Sequence, residues 1–377
     1  MKILSIKYID HISNWTLGPI SFDMLTLLVG ISGVGKSHIL VSIARLTEII
    51  RGNATNLAGV EWDISFEHNG SLFTWRGMFD SDKHSNSNLP GLFNNDDDHS
   101  NLLYESLMMN NTSIFEREKN DIFFGNKTFK DMSPRLSVLN IFTESPIIKL
   151  AREALSRVYF IQYCSQSEYF VPTLFAETLE GLKFNASIGS PLPPSSFFDA
   201  SIPCIQRLAA AYILFGSIFD EIKREYIDIF PSVTDIKFLA GRGGEFYLLG
   251  IKEEGTNWVM QNEMSSGMYK TLLHIAELKL SHNDSVILID EFENSLGVNC
   301  IDVMSDYILQ SEKNTQFIIT SHHPYIINAI PMNYWKVVFR KGSAVSTKDV
   351  ADLNIGKSNH EAFKQLMNSK DFLEGIK

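Results

Sequence analysis

The sequence predicts an α/β fold: a mixed sheet flanked by helices, with an antiparallel β-subdomain and an inserted, mainly helical lobe. Three observations predict it. An apolar strand, a glycine-rich loop and a helical pattern follow one another within residues 25–50. A second apolar strand, residues 286–289, ends in two carboxylates, and strand and helix patterns alternate over residues 277–377. In such a fold we expect the functional side chains at the carboxyl ends of the strands.

Composition narrows the class of protein. The chain has 377 residues, of which 44% are apolar and 20% charged, so a disordered or fibrous protein is excluded. The net charge of −11 disfavours nucleic-acid binding over the whole surface but leaves room for a local basic groove. Three cysteines are too few for a disulfide framework or a zinc site. No apolar stretch approaches 18 residues and no secretory signal is visible, so we expect a cytoplasmic protein without a membrane partner.

Local patterns predict the elements in order. Leu25–Val29 is typical of a buried parallel strand, and residues 38–50 have helical spacing. Asn69-Gly70 predicts a hairpin turn between two alternating strands. Residues 79–131 are rich in Asn, Ser and Asp, which favours a polar surface loop or, alternatively, a loop that docks a partner.

The later elements complete the domain assignment. Residues 132–161 look helical, 202–230 look like one long amphipathic helix, and 236–259 like a hairpin. We therefore predict a core domain over 1–78 and 232–345, an inserted lobe over 79–231 and a C-terminal helical tail over 346–377.

The first chemical motif is the loop Gly30-Ile-Ser-Gly-Val-Gly-Lys-Ser37, which matches the phosphate-binding pattern G-x-x-x-x-G-K-[ST]. Its backbone N–H groups and the following helix N-terminus favour a polyphosphate. Lys36 is expected on the β- and γ-phosphates, and the Ser37 hydroxyl on Mg²⁺. The candidate nucleotide-binding residues of this loop are Gly30, Ser32, Gly33, Gly35, Lys36 and Ser37.

The second motif is the strand Val286–Ile289 with its two carboxylates. We expect Asp290 to hold Mg²⁺ through water and Glu291 to act as general base on the attacking water.

The third motif is Met264-Ser-Ser-Gly-Met268, which resembles the Leu-Ser-Gly-Gly-Gln signature of ABC-type ATPases. Ser265 and Gly267 are the matching residues, and Met264 stands where the family has leucine. An ordinary serine N-cap is the alternative interpretation. A fourth segment, residues 317–322, resembles the switch strand of the same superfamily, which places His322 near the γ-phosphate and leaves His323 a structural role.

The order of these motifs resembles the heads of the SMC and RecF ATPases. The amino-acid sequences of residues 289–297 and 320–328 are closer to the corresponding motifs of the OLD family and of the ATPases of phage-defence systems such as Septu. The resemblance covers roughly 1–75 and 200–340 and implies the fold of an ABC-type P-loop NTPase head. That family also uses a glutamine near the nucleotide; Gln162 and Gln166 are candidates, with a plain polar surface role as the alternative.

The resemblance also implies a mechanism. ATP and Mg²⁺ are the expected cofactors, and two subunits close over ATP so that Ser265 and Gly267 act on the nucleotide held by Lys36 of the partner. The chain is thus expected to form a homodimer or a larger assembly. We see no room for a nuclease domain after His322, so a separate effector protein, a nuclease or another toxin, is the expected partner. The alternative is a RecF- or SMC-like ATPase that binds DNA in repair, for which Lys223, Arg224, Arg242, Arg340 and Lys341 are possible contacts.

Overall fold

The computed structural model describes residues 1–52, 57–81, 100–161, 170–186, 194, 197–241, 245–294, 296, 298–310, 313–353 and 365. Within them the chain forms two compact units. The first is Met1–Val158, Asp284–Leu288 and Thr315–Lys377, and the second is Tyr159–Asn283 and Ile289–Asn314. The two units are the parts of the chain that make most of their contacts within themselves. The domain limits predicted from the sequence instead separate a core from an insertion, and those limits stay a prediction.

The strands are β1 (Lys2–Asp10), β2 (Trp15–Ser21), β3 (Leu25–Val29), β4 (Val60–His68), β5 (Ser71–Phe79), β6 (Leu102–Met109), β7 (Thr112–Glu118), β8 (Asp121–Phe124), β9 (Lys127–Phe129), β10 (Val158–Ile161), β11 (Val171–Pro172), β12 (Val233–Ala240), β13 (Phe246–Glu253), β14 (Trp258–Met260), β15 (Val286–Ile289), β16 (Gln316–Ser321), β17 (Trp335–Lys341) and β18 (Ala344–Asp349). The helices are α1 (Lys36–Ile50), α2 (Val138–Ile141), α3 (Pro146–Ser156), α4 (Thr173–Ala186), α5 (Cys204–Leu214), α6 (Gly216–Ile229), α7 (Ser266–Leu280), α8 (Val298–Leu309) and α9 (Pro324–Ala329).

The first unit is built on a mixed sheet, as predicted. Its strand order is β15-β16-β3-β17-β18-β2-β1-β4-β5-β6-β7-β8-β9. Strand β3 lies between β16 and β17 and is parallel to both, and all five of its residues are buried. From β2 outward to β9 the pairs are antiparallel. The glycine loop therefore begins at the carboxyl end of a central parallel strand, β3.

Helix α1 and the first hairpin confirm the sequence patterns. The predicted apolar positions of α1 are fully buried: Ile39, Leu40, Ile43, Leu46 and Ile50. The two-residue turn Asn69-Gly70 joins β4 to β5, with His68 paired to Ser71 and both turn residues at positive φ. Positive φ at both positions matches the twist of an antiparallel pair, which is why Asn-Gly marks this turn.

The prediction of a polar loop over 79–131 is wrong for residues 100–131. They form β6 to β9 and extend the sheet, while residues 82–99 lie outside the described part of the chain. Leu107, Phe115 and Ile122 are buried, so an apolar face alternates with the polar residues that dominate the composition.

A buried polar network fixes this part of the sheet to the helices that follow it. The Glu105 carboxylate accepts hydrogen bonds from Trp75 Nε1 (3.0 Å), Ser137 Oγ (2.5 Å) and Val138 N (2.8 Å). Arg117 donates to the carbonyl oxygens of Leu136 and Ser133. Burial raises the pKa of Glu105, and the hydrogen bonds and the Arg117 charge act against that rise.

The second unit combines helices with a small antiparallel sheet of β11, β13, β12 and β14. The predicted hairpin over 236–259 is present as β12 and β13. The single helix predicted over 202–230 is wrong, because Phe215 leaves helical geometry (φ −129°, ψ 59°) and separates α5 from α6. A glycine follows at 216, and glycine is a poor helix former.

Two further stretches differ from prediction. The stretch 132–161 contains α2 and α3 but ends in β10. The predicted helical tail over 346–377 begins with the end of β18 and a 3₁₀ turn at Val350–Leu353. Residues 354–364 and 366–377 lie outside the described part of the chain. Among the residues that the structure describes, no helix is long and apolar enough to cross a bilayer.

Candidate functional site

The glycine loop forms a compact cradle in the first unit between β3 and α1. Gly33 and Gly35 adopt φ of 81° and 108°, which side chains disfavour. A Cβ at Gly30 would lie 2.9 Å from Val34 Cγ1 and 3.1 Å from the Val338 carbonyl oxygen, and one at Gly35 would lie 2.9 Å from Val345 Cγ2. No side chain caps α1, so its N-terminal field faces the loop. The residues present therefore fit a polyphosphate.

Lys36 closes the cradle. Its side chain is 9% exposed, and Nζ donates to the carbonyl oxygens of Gly30 (2.7 Å) and Ile31 (3.1 Å). The ammonium is thus held over the loop in which phosphate oxygens are expected. Ser32 and Gly33 are exposed at the tip, and Ser37 is half-buried in the first turn of α1.

The switch strand lies directly beside the phosphate loop. In the parallel pair of β16 and β3, Ser321 is opposite Val29. The next residues, His322 and Gly30, therefore leave the same edge of the sheet on neighbouring strands. His322 is exposed, and His323 caps α9 by accepting from Tyr325 N (3.3 Å). His323 thus has a structural role as a cap, and the contact of His322 with the γ-phosphate stays a prediction.

Sequence reasoning missed a stack of side chains at the flank of the loop. The Arg340 guanidinium lies 4.5 Å from the centre of the Trp15 ring. The centres of the Trp15 and His38 rings are 4.6 Å apart. Arg340 Nη1 also donates to the carbonyl oxygen of Gly33 at 3.3 Å. Trp15 and Arg340 are far apart in sequence and meet only because β17 and β2 both border the loop. No local sequence motif therefore predicts their contact.

We expect Arg340→Ala to weaken ATP binding about tenfold, because the loop loses a hydrogen bond to Gly33 and the cation stacked on Trp15. Lys341→Ala is the matched control, since Lys341 is the exposed next residue of the same strand. Calorimetric titration with ATP measures both affinities. Equal affinities of the two variants would contradict a role of Arg340 in shaping the loop.

The signature segment lies in the second unit at the start of α7. Ser265 is the N-cap residue, and its Oγ accepts from Met268 N at 3.2 Å. Met264, in the place of the family's leucine, is buried at 5% exposure, whereas Ser265 is exposed. Ser265 therefore caps α7 and lies at the surface at the helix N-terminus, and its role as a signature residue stays a prediction.

The acidic pair follows β15, as predicted. Asp290 is half-buried, while Glu291 is exposed and holds a positive φ of 46°, which is uncommon for a residue with a side chain. Asn294 stabilises this conformation: its N donates to the Glu291 carbonyl oxygen (2.7 Å), and its Nδ2 donates to Oε2 (3.1 Å). Lys270 Nζ lies 3.4 Å from the Asn294 carbonyl oxygen, so α7 contacts the loop of the proposed base.

His274, one turn further along α7, is a buried neutral residue. Its Nδ1 lies 2.8 Å from the Lys270 carbonyl oxygen, and its ring packs on Phe292. Burial lowers the pKa of His274 to about 4. Phe292 thus packs in the core against α7.

A pH dependence of stability follows. Above pH 6.5 His274 is neutral in both states, so it does not affect the pH dependence. Between pH 6.5 and about 4 the unfolded chain takes up a proton that the folded chain excludes, and the free energy of unfolding falls by about 3 kcal/mol. Denaturation at several pH values should show this loss, and His274→Leu should flatten the curve. The exposed His11→Gln is the control; a curve unchanged by His274→Leu would contradict the assignment.

The predicted site residues fall into two sets, each within one unit. The first unit holds the phosphate loop and His322, and the second holds Ser265, Gly267, Asp290 and Glu291. Gln162 and Gln166, the candidates for the family's glutamine, lie outside the described residues.

One family model and several solved structures are similar to this chain. Residues 191–328, which contain the signature, the acidic pair and His322, match the family model described as AAA domain, putative AbiEii toxin, Type IV TA system. The structure of an Smc head bound to the C-winged helix domain of ScpA matches with a TM-score of 0.50 and 14% identity, over 92% of this chain and 97% of that one. The fold is that of an ABC-type P-loop ATPase head.

Two other Smc heads are also similar in structure to this chain. One, with an extended coiled coil and bound to the C-terminal domain of ScpA, derives from Pyrococcus furiosus (TM-score 0.47, 13% identity, 97% of this chain, 99% of that one). The other is from Thermotoga maritima (TM-score 0.44, 12% identity, 93% and 99%). No curated protein matches the chain. The AAA match over residues 191–328 and the phosphate-loop pattern of residues 30–37, which lies outside that match, both support a P-loop NTPase.

Proposed function

We propose that the protein binds and hydrolyses ATP, dimerises around it and regulates a separate effector protein in bacterial anti-phage defence. The observation that carries the ATP part is the preformed cradle of Gly33, Gly35 and Lys36 beside the carboxyl end of β16. The proposed role in defence is supported by the amino-acid sequence of the motifs and by the toxin–antitoxin description of the family that matches residues 191–328.

Each residue has a role in this proposal. The loop amides and Lys36 bind the phosphates, while Ser37 and Asp290 hold Mg²⁺, which supplies positive charge to the phosphate oxygens. Glu291 accepts a proton from the attacking water, and Asn294 holds its carboxylate in place. His322 contacts the γ-phosphate from the strand next to the loop.

The second subunit supplies Ser265 and Gly267. Both lie at the N-terminus of the 15-residue α7, and Ser265 is an exposed residue. A helix N-terminus with an exposed serine suits the γ-phosphate of a nucleotide held by another chain. ATP then binds the closed dimer better than the separate subunits and shifts the population towards it.

A substitution tests the trans role separately from nucleotide binding. Ser265→Arg places a long cationic side chain where the partner is expected to approach. We expect ATP hydrolysis to fall at least tenfold while the affinity of one subunit for ATP stays within about threefold, since Lys36 and its loop are unchanged. Loss of ATP binding by the monomeric variant would contradict a role in trans. Ser266→Arg, at the exposed neighbour, shows whether the effect is specific to position 265.

A pull-down from the native host tests the proposal that the protein regulates a separate effector. A pull-down with the Glu291→Gln protein in ATP should recover a second protein in stoichiometric amount. A preparation with no such protein would count against the regulatory proposal and leave the ATPase proposal intact. Docking of the partner on residues 79–131 stays a prediction.

A second candidate is a RecF- or SMC-like ATPase that binds DNA, and the Smc-head fold favours it. The described basic residues give it limited support, because Lys223 is paired with Asp235 and Arg340 with the phosphate loop, while Arg242 lies outside the described part. DNA that stimulates ATP turnover, with an effect that falls as salt rises, would establish it.

A further inference from the structure

The loop that follows β15 is attached to α7 at two points, and both contacts lie within the second unit. The Lys270 ammonium donates to the Asn294 carbonyl oxygen at 3.4 Å. Four residues further along the helix, the His274 ring meets the Phe292 ring edge to face, with the ring centres 6.0 Å apart. Phe292 is fully buried, so this second contact belongs to the core. Since residues four apart share one face of a helix, the loop lies against a single face of α7.

The backbone of this loop has a conformation that depends on its surroundings. Glu291 holds a φ of 46°, and a residue with a side chain keeps such a conformation only where neighbouring groups fix it. Asn294 supplies two of those contacts. Its backbone N donates to the Glu291 carbonyl oxygen at 2.7 Å, and its Nδ2 donates to Glu291 Oε2 at 3.1 Å. The position of the Glu291 carboxylate therefore depends on that of Asn294.

Lys270 in turn fixes Asn294, and its charge also acts on the carboxylate. Burial lowers the pKa of Lys270, and the Glu291 carboxylate acts against this fall. The two charged groups therefore interact, although the ammonium bonds to the backbone of Asn294 rather than to the carboxylate. A movement of Lys270 changes both the hydrogen bond to the loop and the electrostatic field at Glu291.

Helix α7 connects Lys270 to the signature segment. Ser265 caps the helix, and Thr271 Oγ1 donates to the Gly267 carbonyl oxygen at 2.8 Å, which adds a side-chain bond to the first turns. An α-helix rises about 1.5 Å per residue, so roughly 7.5 Å of helix separates position 265 from position 270. Over so short a length the helix moves as one piece, and a displacement of its N-terminus also moves Lys270.

We propose that Lys270 is a positioning residue for the Glu291 base: it holds Asn294, which holds the carboxylate, so that the position of α7 sets the position of the base. Contact of Ser265 with the partner's nucleotide then also places the carboxylate on the attacking water, and hydrolysis waits until the dimer has closed. Because Ser265 and Glu291 have these roles only in the proposed function, the role of Lys270 rests on it.

Lys270→Met tests this role, since methionine keeps an unbranched side chain but removes the ammonium. We expect single-turnover hydrolysis to fall at least tenfold, while ATP affinity stays within about threefold and ATP still produces the dimer in sedimentation velocity. Lys270→Arg keeps a cationic donor and should hydrolyse ATP within about threefold of the original rate. Lys252→Met is the matched control, because Lys252 is an exposed residue of β13 in the same unit.

A double variant shows whether Lys270 acts through Asn294. Two residues that act in one chain of contacts have effects that do not add. Lys270→Met should therefore lower the rate less than twofold further when Asn294 is already alanine. If Lys270→Met does not fold, Lys270→Gln takes its place with the same expected loss, because its side chain is shorter and uncharged.

Several outcomes would overturn the proposal. One is normal hydrolysis by Lys270→Met, and another is loss of the ATP dimer together with turnover, which would indicate general damage to α7. Rate losses that multiply in the double variant would mean that Lys270 does not act through Asn294. Glu291→Gln is measured alongside: if it is slow while Lys270→Met is normal, only the role of Lys270 is rejected. Normal hydrolysis by both variants would reject Glu291 as the base and the proposed mechanism with it.

Discussion

Glu291→Gln is expected to lower ATP turnover by a factor on the order of 10²–10⁴ and to leave ATP affinity within about threefold. The amide keeps the shape of the carboxylate but accepts no proton at neutral pH. It also keeps the oxygen to which Asn294 Nδ2 donates, so the backbone at φ 46° has the same support. The effect should therefore be on the chemical step rather than on the fold or the nucleotide site. Single-turnover hydrolysis together with equilibrium ATP binding separates these two quantities.

The matched control is Glu293→Gln, a carboxylate two residues along the same loop. It makes the same chemical change beside the site and should leave turnover within about threefold of the original protein. If Glu291→Gln hydrolysed ATP normally, Glu291 would not be the base. If both variants lost turnover equally, the loop rather than one carboxylate would be responsible.

Lys36→Ala is expected to raise the dissociation constant for ATP at least 100-fold. The ammonium is nearly buried and is held at the loop by the carbonyl oxygens of Gly30 and Ile31, where the phosphates are expected. A charge-assisted contact of this kind contributes about 1.5–3 kcal/mol, and more when it is shielded from water. Fluorescent-nucleotide titration measures the change.

Truncation to alanine also empties the space that the lysine side chain fills beside the loop, so Lys36→Met is the second variant. It removes the ammonium and its two hydrogen bonds but keeps an unbranched side chain of similar length. We expect a similar loss of affinity from it, while Lys7→Ala, on an exposed position of β1, leaves binding unchanged. Tight ATP binding by Lys36→Met would refute the assignment of the loop, whatever the turnover.

The chemistry-bearing segments were predictable because each is a local pattern. A fully buried strand appears in the sequence as a run of apolar residues. The run Leu25–Val29 correctly predicts both the position and the burial of β3. The glycines at 33 and 35 mark backbone that other residues disfavour, and they carry positive φ as the phosphate-loop pattern requires. The Ser265 N-cap is equally local, since it depends on one hydroxyl and one amide three residues away.

The errors arose where composition hides periodicity or where contacts are long-range. Residues 100–131 are polar overall, yet Leu107, Phe115 and Ile122 point to one face, and Glu105 and Arg117 are buried because each finds partners distant in the chain. Those partners are not visible in a window of ten residues. The Trp15–Arg340 stack was missed for the same reason.

The measurement that tests the central claim most directly is the mass in solution of the Glu291→Gln protein with and without ATP and Mg²⁺, by sedimentation velocity. A slow hydrolyser should accumulate in the closed state, so ATP should convert the 42.7 kDa chain into a species of about twice that mass. The double variant Glu291→Gln, Ser265→Arg should stay monomeric at the same ATP occupancy. A Glu291→Gln chain that is saturated with ATP and still sediments at 42.7 kDa would contradict the claim that ATP closes two subunits through Ser265.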